Sequence, residues 1–477
     1  MELIPVIGLE MHCEMKSTTK VFSPGENAYS DISNSHVNKI DMAFPGVLPI
    51  LNKECMEKAI EMALILNCDI PNVFMFDRKN YYYPDLPKGY QITQSTKPIG
   101  TNGKIIIDVN GVEKVIDILD IHLEEDSASL DHYLHSSYID YNRAGVPLLE
   151  TVTAPCMHSK EEAVQFLDTM KSIFRYTDIS DADIKRGQIR CDVNVSMMEK
   201  GSNKFGTKVE VKNVNNINNV ANTIDYEIKR QTELILSGRE DEIVQETRRY
   251  DEDTNTTITM RSKADALDYK YFVEPNIPPY KISNDWILNI RKRIPVLPNE
   301  KKLKYINELG LSSVDANIII KDKDTSDYFD KLIELGSDIK LSTNWVINNI
   351  TDYVNSNDIL IKELYLTPDK LKFILDQVLN SKISNKQAKE LFNKSLELKR
   401  EPSELIKELG MEQNNNKDEI KELIVNILDN NVKQIEMYKN GKTNMFDFFV
   451  GQVMKETKGK ANPVIVKEIL TEELKNR

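Results

Sequence analysis

The apolar residues of this chain change their period part-way along it. Up to about residue 283 they alternate with polar ones, as in Val6-Ile7-Gly8-Leu9-Glu10-Met11-His12, Lys104-Ile105-Ile106-Ile107-Asp108-Val109 and Ile189-Arg190-Cys191-Asp192-Val193-Asn194-Val195-Ser196. A period of two is that of a β-strand with one buried face. Helices interrupt the strands. Asn52 precedes the periodic run Met56, Ala59, Ile60, Ala63, Leu64, Leu66, and Ser159 precedes Ala163, Phe166, Leu167, Met170, Ile173, Phe174, so each has the chemistry of an N-cap. A third helix is expected over 216–236. From 284 to about 406 the spacing is helical, as in Lys302, Leu303, Ile306, Leu309 and in Leu371, Ile374, Leu375, Val378, Leu379. Glycine thins out there, with twelve of the 18 glycines before residue 283 and six after it. The expected fold class is α+β: a large mixed-sheet domain over 1–290, an all-helical domain over 291–406 and a small helical tail over 407–477. The polar stretch Met411-Glu412-Gln413-Asn414-Asn415-Asn416-Lys417 reads as a linker or loop.

Three domains suit 477 residues at roughly 150 per domain. A chain of this length buries a sizeable core without disulfides or structural metals. Five cysteines, at 13, 55, 68, 156 and 191, form no CxxC pair, which excludes a zinc ribbon or disulfide framework and fits a reducing cytoplasm. The start meets Glu10 too soon, and lacks the basic residues, for a signal peptide. No stretch approaches the roughly 18 apolar residues of a membrane span. With 62 Lys+Arg against 75 Asp+Glu, the net charge of −13 argues against non-specific coating of nucleic acid. The balance is uneven, however. Residues 431–477 carry nine basic and six acidic residues, a net of +3, which leaves −16 for residues 1–430. Lysines 433, 439, 442, 455, 458 and 460 concentrate the positive charge, and Lys455–Pro463 sets part of it around a turn. Such a cluster is either a solvated surface turn or an RNA-docking module.

The usual phosphate and acyl-transfer signatures are absent. There is no GxxxxGK[ST], GxSxG or HExxH, and no cysteine nucleophile signature. What remains is on the strands. Alternation puts Glu10 with His12 on one face, Arg190 with Asp192, Asn194 and Ser196 on another, and Lys208 with Glu210 and Lys212 on a third. These carboxylates, with an imidazole nearby, either hold a hard divalent cation that also meets nucleotide phosphates, or form a solvated sheet face. The consecutive acids Glu124-Glu125-Asp126 repel one another unless solvated or bound to a cation. Phe76 to Gln91 combines tyrosines, prolines and a glycine with Arg78, Lys79 and Lys88, as suits a loop that stacks a base and contacts phosphates, or one that simply packs. Tyr138–Glu150 offers a turn and a strand ending in a carboxylate. Gln245–Asp251 and Met260-Arg261-Ser262-Lys263 carry paired basic residues able to neutralise a polyanion.

Together these segments resemble the B-subunit family of aspartyl/glutamyl-tRNA amidotransferases. The resemblance rests on Val6–His12, Phe44-Pro-Gly-Val-Leu-Pro49, Phe76-Asp-Arg-Lys-Asn-Tyr81, Tyr83-Pro-Asp-Leu-Pro-Lys-Gly-Tyr-Gln91 and His122-Leu-Glu-Glu-Asp126. It continues through Asp140–Glu150, Arg190–Ser196, Gln245-Glu-Thr-Arg-Arg249 and Gly451–Pro463, and so spans essentially the whole chain. It implies a cradle-like catalytic domain in which ATP and Mg²⁺ serve to phosphorylate the side-chain carboxylate of Glu-tRNA(Gln), Asp-tRNA(Asn) or both, before amidation by ammonia. Carried onto this sequence, it makes Glu10, His12, Glu124 and Glu125 metal ligands. Lys88 and Arg190 stabilise phosphate charge, Glu150 and Glu210 complete the site, and Asp192 either serves the ammonia path or supports the ligands from behind. Tyr82, Tyr83, Lys79 and Arg248 are expected against the nucleotide. Many family members carry two cysteine pairs before the Pro-Gly-x-Leu-Pro segment; here 22–44 has none, so no zinc is expected and packing must hold that region. The chain shows no Ser-Ser-Lys amidase signature and no Cys glutaminase site, so the resemblance implies a separate glutaminase A subunit, a small C subunit and a tRNA-binding tail, in the cytoplasm. Two other readings remain at this point: a non-catalytic tRNA-binding scaffold, and a stand-alone ligase that uses free ammonia.

Overall fold

The computed structural model of the chain describes residues 2–262, 269–411, 416–457 and 461–477, and for Arg261 and Ser262 the backbone alone. Lys263, Lys458, Lys460 and the linker positions 412–415 lie outside the described residues. The chain divides into two compact units, Met1–Leu297 and Pro298–Arg477.

The first unit is built on an eight-stranded sheet. Its strands are β1 (Leu3–Glu14), β2 (Gly100–Val109), β3 (Val112–Glu125), β4 (Pro147–Thr153), β5 (Ile189–Glu199), β6 (Val209–Val214), β7 (Glu246–Asp251) and β8 (Thr256–Ser262). They lie in the order β8-β7-β6-β5-β1-β4-β3-β2. Every neighbouring pair is antiparallel except β6 with β7. Parallel strands need a long crossover, and the connection between these two contains a 20-residue helix. The expected strands at 6–12, 104–109 and 189–196 fall within β1, β2 and β5. That at 208–212 lies in β6, apart from Lys208, which precedes it.

Helices α1 (Lys53–Ile65), α2 (Lys160–Tyr176) and α3 (Ile217–Leu236) cover one face of this sheet. Each begins at a side-chain cap: Asn52 accepts from the Glu54 amide at 2.8 Å, Ser159 from Glu162 at 3.2 Å and Asn216 from Asn218 at 2.9 Å. Ile7, Leu9, Met11 and Cys13 of β1 and Cys191, Val193 and Val195 of β5 join Ala59, Phe166, Met170 and Ile224 of the helices in one core. Apolar residues at alternate positions therefore dictate which sheet face is buried, and the intervening polar residues line the other.

Residues 17–50 are irregular, and here packing is only part of what holds the chain. Val21 and Phe22 enter the core, but a buried ion pair stands beside them. Lys20 and Asp41 lie 3.2 Å apart with side chains 0% and 2% exposed. Asp41 also accepts from the Ser23 hydroxyl at 2.5 Å and the Asn38 amide at 2.9 Å, while Lys20 donates to the Ala144 carbonyl at 2.7 Å.

The second unit is helical among its described residues. The runs at 302–309 and 371–379 coincide with helices Pro298–Asn307 and Pro368–Leu379, though Leu309 lies past the end of the first. Tyr305, Phe329, Trp345, Leu371, Phe392 and Met411 belong to one core; Ile420, Ile424, Leu428, Phe449, Val453, Val466 and Leu470 form a second among the four last helices. No helix among the described residues is long and apolar enough to cross a membrane.

Candidate functional site

The polar face of the sheet carries a row of four side chains contributed by adjacent strands. Register pairs His122 of β3 with Glu150 of β4, Glu150 with His12 of β1, and His12 with Arg190 of β5. One oxygen of Glu150, Oε2, meets His12 Nε2 at 3.2 Å and His122 Nε2 at 3.1 Å. His122 Nδ1 lies 2.9 Å from Asp120 Oδ1, and Glu124 Oε2 stands 3.9 Å from His122 Nε2. His12, Glu124 and Glu150 each offer a ligand atom, all within 4.8 Å of one another. One imidazole and two carboxylates form a donor set suited to a hard divalent cation.

The electrostatics of this row are those of negative charge held out of water. Burial pushes the Glu124 carboxyl up, and the neighbouring Glu150 adds to that. Burial also opposes the ionisation of Glu150, yet His122 and His12 hold it well below the usual carboxylate range. Burial works against the imidazolium of His122, but Glu150 and Asp120 keep its proton bound well above the ordinary value; His12 is raised the same way by Glu150.

A second acidic group lies beside the first. Glu10, Asp192 and Glu210, from β1, β5 and β6, have ligand atoms within 4.8 Å of one another. This group already holds a cation, because Lys212 Nζ stands 2.8 Å from Asp192 and 3.2 Å from Glu210. The Asn213 amide donates to Asp192 at 2.8 Å, Asn194 donates to Glu10 at 2.9 Å and Thr247 donates to Glu210 at 2.9 Å. Burial raises the Glu10 carboxyl, against the hydrogen bond from Asn194.

Further along the same face Arg190 bonds Asp126 at 2.5 Å, and Arg143 stands 3.6 Å from the same carboxylate oxygen. Glu14, next to this pair, is pushed up to about 8, chiefly by burial and then by Asp126. Lys79 lies nearby on a separate small sheet, and Glu124 and Glu150 raise its ammonium against the effect of burial.

Not all residues expected in the site meet there. Glu125 follows Glu124 on β3 and therefore points to the opposite face, where it pairs with Lys88 and accepts from the Ile92 amide at 2.8 Å. Arg248 likewise stands across from Val211 of the core face, not on the face of Glu210. Its guanidinium donates to Glu246 at 2.5 Å, to the Thr257 carbonyl and hydroxyl at 2.7 Å each and to Thr259 at 2.9 Å. Tyr82 is 92% exposed and Tyr83 53%, so both face solvent. Conversely, the residue set expected from the sequence omitted His122, Asp120, Asp126 and Lys212. The signal for the first two was available: Asp120, His122 and Glu124 follow the same every-second-residue rule that joins Glu10 to His12.

The family model described as the GatB/GatE catalytic domain matches residues 5–288, and one described as the GatB domain matches 327–474. Three relatives, each named as the B subunit of an aspartyl/glutamyl-tRNA(Asn/Gln) amidotransferase, align end to end. Those of Halalkalibacterium halodurans and Oceanobacillus iheyensis are each 44% identical over 473 residues, covering 99% of both chains. That of Bacillus cereus is 43% identical over 477 residues, covering 100% of both. Identity of this extent across both matched regions means that the chain belongs to the family of amidotransferase B subunits, with its carboxylate-lined sheet inside the GatB/GatE catalytic domain.

Proposed function

We propose that this chain carries out the ATP-dependent step of tRNA-dependent amidation. The side-chain carboxylate of a Glu or Asp residue esterified to tRNA attacks the γ-phosphorus of ATP, giving an acyl phosphate and ADP. Ammonia then attacks the carbonyl carbon and phosphate leaves, yielding Gln-tRNA(Gln) or Asn-tRNA(Asn). Activation is needed because a free carboxylate lacks a leaving group. The transition state of phosphoryl transfer asks for positioning and charge, not a protein nucleophile.

The observation that carries this reading is the group His12, Glu124 and Glu150 on an otherwise polar, partly buried sheet face. These three residues would hold Mg²⁺, which supplies charge neutralisation at the ATP phosphates. Lys79 and Arg190 bring positive charge to the same face. Asp192, held by Lys212 and the Asn213 amide, serves the approach of ammonia. Glu125 orients Lys88 and ties β3 to the strand Tyr90–Thr93 through the Ile92 amide. The relatives' name describes one component of an assembly, and the chain lacks glutaminase signatures. Ammonia therefore comes from an A subunit, with a C subunit completing the enzyme.

Reconstitution with A and C subunits of a relative tests this. Glu124→Gln should lower amidation of misacylated tRNA at least about 100-fold, by removing a ligand of the cation that neutralises phosphate charge, while glutamine hydrolysis by the A subunit persists. Wild-type amidation by Glu124→Gln would instead fit a non-catalytic scaffold.

A further inference from the structure

A three-stranded sheet formed by Asp77–Asn80, Tyr90–Thr93 and Lys270–Val273 presents a cation on each of its faces. Arg78 on one face lies over the ring of Tyr90, 4.1 Å from its centroid, with Phe272 at 5.6 Å. Its charge is met by the buried Glu274, through bonds of 2.5 and 3.1 Å. This bidentate pairing meets the guanidinium charge with that of a fully buried carboxylate, so Arg78 brings no uncompensated charge to its face.

Lys79, the next residue, faces the other way and is treated differently. Its Nζ lies 4.9 Å from the centroid of Tyr269 and 5.8 Å from that of Tyr81, and these two rings meet edge to face at 5.4 Å and 71°. Tyr271 is its cross-strand neighbour. Among the described residues no carboxylate comes within 4.0 Å of this ammonium. The ring quadrupole attracts an ammonium and limits its orientation without neutralising it. A carboxylate partner would have to be displaced, at the expense of leaving a buried charge unpaired, before the lysine could meet an incoming anion.

We propose that Tyr81 and Tyr269 are positioning residues that hold the Lys79 ammonium in place without a carboxylate partner, as the clamp for the polyphosphate of ATP beside His12, Glu124 and Glu150. This rests on the ATP-dependent reading above. Lys79 is the group that touches the phosphates, and the two tyrosines act through it. Tyr269 lies 190 residues from Lys79, so the cage forms only when Lys270–Val273 pairs with Asp77–Asn80.

ATP affinity, measured by equilibrium dialysis on the reconstituted three-subunit enzyme, tests the cage directly. Tyr269→Leu should weaken ATP binding roughly tenfold, whereas Tyr269→Phe, which keeps the ring, should stay within about twofold. In a Lys79→Met background Tyr269→Leu should add no further loss. Wild-type affinity in Tyr269→Leu, a penalty that persists without Lys79, or no saturable ATP binding by the wild type would each overturn the proposal. The phosphorylation step is read separately from amidation by Glu124→Gln. Unchanged amidation in that variant refutes the step while the Lys79-dependence of ATP binding still stands or falls by dialysis.

Discussion

His12 and His122 stand two strands apart, yet their Nε2 atoms reach the same oxygen of Glu150, at 3.2 and 3.1 Å. Each approach is favourable only with a proton on that nitrogen, and both imidazoles are raised above their ordinary value, with burial opposing and Glu150 favouring the proton. Protons thus take the position that a divalent cation would take, and the two compete.

The sign of that competition follows. Because the two histidines hold their protons to higher pH than an ordinary imidazole, lowering the pH through their raised range protonates them and weakens a bound cation. Affinity for Mg²⁺ or Mn²⁺ should therefore rise with pH, and binding should release protons. Calorimetric titration with Mn²⁺ in buffers of different ionisation enthalpy measures that release directly. Glu150→Gln should weaken Mn²⁺ by about 100-fold or more and make the pH dependence shallower, since His12 then loses its hydrogen-bonded carboxylate while His122 keeps only Asp120. Binding without proton release would refute the competition.

Lys212 sets the character of the second acidic group. Burial opposes its charge, but Asp192 and Glu210 raise its ammonium well above the usual lysine range. Lys212→Met leaves two carboxylates facing each other without a cation. The Lys212 ammonium is raised on folding, so its contribution is present in full at every pH below the ordinary lysine range, neutral pH included. Because the Lys212 side chain is 32% exposed, the expected cost at neutral pH is about 2 kcal/mol, below the figure for a fully buried pair. Urea unfolding of wild type and variant at neutral pH checks it, and an unchanged midpoint would contradict the assignment.

The sheet face was legible in the sequence to the extent that strand alternation was. Glu10 with His12, and Arg190 with Asp192 and Asn194, could be joined because a core residue separates each pair. Glu124-Glu125-Asp126 hide their assignment when read alone. Alternation carried on from Asp120 and His122 puts Glu124 on their face and Glu125 on the other, and the register Glu124↔Leu148 and Glu125↔Pro147 agrees. Arg248 and Arg249 pose the same problem: adjacent cations on a strand must face opposite ways, and the first turns inward to Glu246 and Thr257. Contacts across long separations left no local signal at all. Lys79 with Tyr269, Arg78 with Glu274 and Lys20 with Asp41 are each made by the tertiary fold.

The basic tail makes the remaining prediction. Lys433 and Lys442 are exposed, at the start of the helix Val432–Lys439 and just beyond its end, while Lys439 is engaged by the Arg477 carbonyl. Lys442 immediately precedes Thr443, which with Tyr438, Asn444, Phe446 and Asp447 lines an open cavity of about 550 Å³. If lysines here neutralise tRNA phosphates, replacing Lys433 and Lys442 by Gln removes two counterion-releasing contacts. The slope of log affinity against log salt should then become shallower by up to about 2, with weaker binding at low salt and convergence with wild type at high salt. Filter binding of tRNA to the chain reconstituted with the A and C subunits of a relative, over a salt series, measures this. An unchanged slope would locate the phosphate contacts elsewhere, because the net charge of +3 over 431–477 acts on a polyanion only through such exchanges of ions.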